Sequence, residues 1–234
     1  MKTSRLPNLS DLINLFFPDN CRACGHKLME SEEVVCLHCQ NQLARTDFHL
    51  HEPNLMSKLF WGRIDIQYAL AAYYFFKKSS LQKLIHQLKY HGKTEVGHFA
   101  GNEFGERLKA VGFDNKFDLI IPVPLHRKKK KLRGYNQSDS FAESLSQKLN
   151  TPWSPDVMRR NIYSISQTKK SKYQRWENVN RIFSVNKPRE VAGKRVLLVD
   201  DIVTTGSTLE ACAIQLHKAG AKQVSLAVIG FAHY

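Results

Sequence analysis

The sequence predicts an α/β fold, a parallel sheet with helices on both faces, preceded by a small four-cysteine module. Three observations predict it. Short runs such as Leu119–Val123 and Val196–Val199 are apolar without polar alternation, the composition of strands buried on both faces. Segments with apolar residues at helical spacing alternate with these runs, as βαβ units require. Four of the five cysteines fall between positions 21 and 39, apart from the rest of the chain. The 234 residues, 42% hydrophobic and 24% charged, suffice for one full core and a small appendage. That composition excludes disorder, collagen and coiled coil. No run reaches the roughly 18 uncharged apolar residues of a membrane span, and Met1–Ser10 lacks a signal-peptide core, so a cytoplasmic location is expected.

In chain order, Leu9, Leu12, Ile13 and Phe16 form one helical stripe stopped by Pro18. The cysteine module follows, and the polar stretch Arg45 to Pro53 reads as a linker, giving an expected division into residues 1–50 and 51–234. Tyr68–Phe76 is a strand candidate. Leu81, Leu84, Ile85 and Leu88 define a helix ending near Gly92, and Val96–Ala110 a second one. Leu119–Val123 is the next strand, Asn136–Leu149 a helix with Asn136 as its cap, and Arg195–Val199 another strand. Thr205–Ala219 is a helix closed by Gly220, and Val224–Ile229 the last strand.

The cysteines follow a C-x2-C-x11-C-x2-C pattern at Cys21, Cys24, Cys36 and Cys39. Two such turns complete a closed sulfur shell for a structural zinc ion, with no open position for catalysis. Disulfides are the competing reading, disfavoured by the missing secretion signal and the odd Cys212. His26 and His38 stand beside the cysteines as substitute ligands. Charge is the other departure from the ordinary: 35 Lys and Arg against 21 Asp and Glu give +14. Thirteen Lys or Arg and three Asp or Glu lie between His126 and Arg175. Such a basic region either receives a polyanion or is a solvated face that keeps the chain soluble.

Chemistry concentrates in Val196-Leu-Leu-Val-Asp-Asp-Ile-Val-Thr-Thr-Gly-Ser-Thr208. A buried strand ends in Asp200 and Asp201, where an open parallel sheet places its ligand crevice. Thr204, Thr205, Gly206, Ser207 and Thr208 then open a helix whose N–H groups, hydroxyls and positive dipole suit a phosphate, with Gly206 allowing close approach. The paired carboxylates suit a sugar diol or a divalent cation. Upstream, His126, Arg127, Lys128, Lys129, Lys130, Lys131 and Arg133 form a predicted loop that either clamps pyrophosphate or receives a nucleic-acid backbone. Lys169, Lys170, Lys172 and Arg175 lie in a stretch without apolar period.

The acid pair and Thr-Thr-Gly-Ser-Thr loop resemble the PRPP signature of the type I phosphoribosyltransferases. The resemblance narrows to the ComF family, associated with competence and DNA uptake. It is carried by Phe17-Pro18, the cysteines, Lys89-Tyr-His-Gly92, Pro122-Val-Pro-Leu-His126, Arg133-Gly-Tyr-Asn-Gln137, Gln167, Arg175 and Asn178. It implies a type I phosphoribosyltransferase-like sheet in which Asp200 and Asp201 hold the ribose hydroxyls of PRPP with Mg²⁺. The loop takes the 5-phosphate, Arg127–Arg133 is the pyrophosphate region, and Lys169–Arg175 is the mobile loop. Thr204 stands where hypoxanthine-guanine enzymes have a purine-contacting Asp, which argues against a 6-oxopurine acceptor, and no general base is evident. Two functions follow. One is a competence-associated protein that binds PRPP or a related ribose phosphate and single-stranded DNA, with competence-machinery proteins as further partners. Its stacking candidates are Tyr135, Trp153, Tyr163, Tyr173 and Trp176, interleaved with cations. The other is an active phosphoribosyltransferase with an unidentified acceptor.

Overall fold

The computed structural model describes residues 19–162 and 182–232. The N-terminal stripe and the stretch containing Lys169, Lys170, Lys172 and Arg175 lie outside them. Four parallel strands form the sheet in the order β1-β6-β5-β2: β1 (Ala69–Phe75), β2 (Leu119–Pro122), β5 (Arg195–Val203) and β6 (Gln223–Ala232). A separate antiparallel ribbon pairs β3 (Met158–Arg160) with β4 (Phe183–Val185). The helices are α1 (Leu37–Asn41), α2 (Leu55–Lys58), α3 (Ser80–Tyr90), α4 (Glu95–Ala110), α5 (Arg127–Arg133), α6 (Gln137–Leu149), α7 (Pro188–Val191) and α8 (Ser207–Lys218).

Strand alternation sorts the sheet's side chains into two cores. Leu197, Val199, Ala227 and Ile229 join α3, α4, α6 and the cysteine module on one face. Val196, Leu198, Leu226 and Val228 join α8, the ribbon and Phe60 on the other. Burial on both faces is why these strands read as continuous apolar runs.

Two expectations change. The sequence places the end of β5 at Val199, because two acids look like a stop, yet the strand continues to Val203. Asp200, Ile202 and Val203 pair with Val228, Gly230 and Phe231 of a long β6. Arg45 to Pro53 is tied down along its length: Thr46 N–H donates to Ala72 O at 3.1 Å, and Phe48 is buried against Tyr74 and Phe231.

The helix pair α4 and α6 packs through a stripe of glycines. Gly97, Gly101 and Gly105 recur every fourth residue of α4 and face Ser140, Ser144 and Lys148 of α6. A Cβ at Gly101 would stand 2.7 Å from Ser144 Cβ and 2.9 Å from the Phe141 carbonyl oxygen. Only hydrogen fits there.

Candidate functional site

The carboxyl end of β5 brings together residues far apart in sequence. Asp200 is buried and accepts hydrogen bonds from Ser138 Oγ, at the start of α6, and from the Asp201 N–H, at 3.0 and 2.8 Å. Its neighbour Asp201 is also buried, with Oδ1 2.8 Å from Lys89 Nζ near the end of α3. Burial first, and then the adjacent Asp201 charge, push the Asp200 carboxyl up to about 7; the Asp201 N–H, Lys89 and Ser138 pull the other way. Asp201 Oδ2 is buried and has no hydrogen-bond partner among the described residues. Asn136 Oδ1 is a second such acceptor. Asn136 does not cap its helix as expected: its amide donates instead to the Val123 carbonyl and to Asp139.

Beyond the acids, Thr204 and Thr205 are exposed and α8 begins at Ser207. No side chain caps this helix, so its first-turn N–H groups face the loop. Arg63 donates to the Thr205 carbonyl at 3.0 Å and pairs with Glu210, bracing the loop from outside. Gly206 also meets a need the sequence does not announce. Its φ is +76°, and an added Cβ would stand 2.7 Å from Phe60, so glycine is required by backbone conformation and by the ring beneath it.

The basic segment, expected as a loop, is the helix α5. Lys, Arg and Leu are good helix formers, His126 Nδ1 accepts from the Lys128 N–H, and Gly134 ends the helix at φ +86°. None of its residues is buried. Lys130 lies 3.6 Å from Asp139, and Arg133 bonds Gln137 and sits 5.8 Å over the Tyr90 ring. Thus α5 meets the acid pair through the end of α3, whose Tyr90 touches Arg133 and whose Lys89 touches Asp201. Lys89, Ser138 and Arg63 escaped the sequence reading of the site; Lys89 was visible only as part of a resembling motif. Two of the interleaved aromatics face inward: Tyr135 donates to the Leu88 carbonyl, and Trp153 packs on the core. Tyr163, Tyr173 and Trp176 lie outside the described residues.

The four cysteines do converge. Their Sγ atoms all lie within 4.8 Å of one another, and Cys24 and Cys36 are 3.7 Å apart. A tetrahedron with zinc–sulfur bonds of about 2.3 Å has edges of about 3.8 Å. All five cysteines are free thiols, so the disulfide reading fails. Neither His26 nor His38 belongs to the group. Burial opposes ionisation of Cys21, but the N–H groups of Cys36, Cys24 and Ala23 outweigh it and hold this thiol at about 6. Burial and the neighbouring thiols push Cys39 up. The cluster could hold a metal ion such as zinc, and soft sulfur donors exclude Mg²⁺ and Ca²⁺. Among the described residues no helix is long and apolar enough to cross a membrane.

Residues 137–232 match the phosphoribosyl transferase domain family. DNA utilization protein YhgH of Shigella flexneri is 33% identical over 150 residues, covering 62% of this chain and 65% of that protein. Competence protein F of Haemophilus influenzae is 36% identical over 110 residues, covering 47% and 48%. Competence protein ComFC of Bacillus subtilis is 25% identical over 213 residues, covering 85% and 84%. The alignments with the first two span less than two thirds of those relatives. With the parallel sheet and the four-cysteine cluster in place, the chain is similar to competence and DNA utilization proteins of the ComF, ComFC and YhgH type, and its residues 137–232 match a phosphoribosyl transferase domain.

Proposed function

We propose that this protein binds PRPP or a related phosphorylated ribose at the acid pair and the Thr204–Thr208 loop, binds single-stranded DNA along α5, and acts in DNA uptake or processing. One observation carries the first part: the buried Asp201 Oδ2 lacks a donor among the described residues, beside a loop of exposed hydroxyls and uncapped helix N–H groups. A buried acceptor without a donor is costly, and ribose hydroxyls supply one. The same oxygens are hard donors that suit Mg²⁺ accompanying the pyrophosphate. The six cations of Arg127–Lys131 and Arg133 provide the phosphate contacts of the second part. Zinc in the cysteine cluster is structural, held by thiols kept reduced in the cytoplasm.

The test is thermal unfolding with PRPP and Mg²⁺. Ligand at 100 times its Kd should stabilise the protein by about 2.7 kcal/mol, and the double variant Asp200→Asn with Asp201→Asn should show no shift. An equal shift in the variant would place the ligand elsewhere. Pyrophosphate release, measured in the same samples with nucleobase acceptors, separates binding from turnover.

A further inference from the structure

Charge alone does not select a single strand. A duplex carries a higher charge density, so a purely basic face holds it at least as well. Preference for unpaired DNA requires a surface for exposed base faces.

One such surface lies beside α5. Tyr90 ends α3 with 67% of its area exposed, at the point where that helix meets the basic one. The Arg133 guanidinium lies 5.8 Å from its ring centroid, and Gln137 holds Arg133 in place. From its own helix, His86 stands 4.8 Å from the Tyr90 ring at an interplanar angle of 45°, and 5.2 Å from His91. The ring is therefore oriented by neighbours without being covered by them. Burial gives no reason for an aromatic here. Tyr135 and Trp153, the described aromatics that sequence spacing offered for stacking, are committed to the core.

We propose that Tyr90, steadied by Arg133 and His86, is the platform on which an unpaired base stacks while α5 holds the adjoining phosphates. The inference rests on the single-strand reading above and adds the residue that gives the preference. Any of the four bases can occupy the platform, since each has a π-face.

Fluorescence anisotropy at fixed salt tests this with a thymidine oligonucleotide, an abasic strand of equal length and a duplex. Wild type should bind the thymidine strand about 5- to 100-fold more tightly than the abasic one. Tyr90→Ala should lower its affinity to that of the abasic strand, Tyr90→Phe should retain the difference, and the salt slope should be the same in all three proteins. Replacing Lys128, Lys129, Lys130 and Lys131 by Gln should weaken both strands alike and flatten that slope. Should Tyr90→Ala keep the full advantage of the thymidine strand, the platform is wrong. Equal wild-type affinity for both strands also overturns it, while leaving phosphate binding by α5 intact. Wild type that binds none of the probes removes the single-strand reading and the platform with it.

Discussion

The cysteine cluster and the acid pair solve the same electrostatic problem in opposite ways. Each gathers groups that repel one another once ionised, Cys21, Cys24, Cys36 and Cys39 in one case and Asp200 with Asp201 in the other. Among the thiols, backbone N–H groups favour one thiolate, and a divalent metal would complete the neutralisation. The acid pair carries its own relief: Lys89 on Asp201, Ser138 on Asp200, and a proton that Asp200 retains up to about 7. The first arrangement is closed by four protein ligands. The second folds without a ligand and leaves Asp201 Oδ2 for one. The two groups therefore differ in where the compensating charge comes from.

The largest effect should come from taking metal out of the closed site. Cys21, Cys36 and Cys39 share a core with Val35, Leu43 and Phe104, so their collapse reaches α4. Chelation at neutral pH, or Cys39→Ser, is expected to cost several kcal/mol, as structural zinc sites do. Metal analysis with thermal melting checks this, and a melt unmoved by loss of zinc would break the contrast.

The open site should reveal itself through pH. The unfolded carboxyl releases its proton near 3.9, and the folded Asp200 only at about 7. The folded state thus binds more protons between these values. Its contribution to stability is complete below about pH 4 and is lost as pH rises through 7, with a limiting slope of about 1.4 kcal/mol per pH unit. Asp200→Asn should remove that slope. Urea midpoints at pH 5 and pH 7 measure it, and parallel pH dependences in wild type and variant would contradict the assignment.

A smaller effect belongs to the helix pair between the two regions. At Gly101, alanine gains about 1 kcal/mol of helix propensity but is overpacked by about 1–3 kcal/mol against Ser144 and the Phe141 carbonyl. Net destabilisation of about 1 kcal/mol, with zinc content and ligand shift unchanged, is the expected outcome of Gly101→Ala in denaturant titration. A variant as stable as wild type would show that the helices can separate freely.

The sheet was legible because each strand is buried on both faces and says so in its own composition. The cysteine cluster was legible because its ligand spacing is local. What escaped depends on distant partners: β5 runs through two acids because β6 continues beside them, Lys89 pairs with Asp201 and Ser138 donates to Asp200, none of which is near in sequence. The basic run looked like a loop because its charge drew more notice than its helix-forming residues and its caps, His126 and Gly134. The second demand on Gly206 has no local signature because Phe60, the ring that confines it, lies 146 positions upstream. The spacing of Gly97, Gly101 and Gly105 was in plain sight, but a repeated glycine lowers helix propensity and hid its meaning.

That glycine stripe also constrains how the sequence can drift. Positions 97 and 140, 101 and 144, and 105 and 148 face one another across the two helices with no room for a Cβ on the α4 side while the α6 side chain stays as it is. Enlarging one member demands a reduction opposite, and at 101 the Phe141 carbonyl, which no mutation can shrink, blocks even that exchange. Among descendants of this chain, residues 97 and 105 can covary with α6, while 101 stays glycine for as long as the two helices keep their present distance.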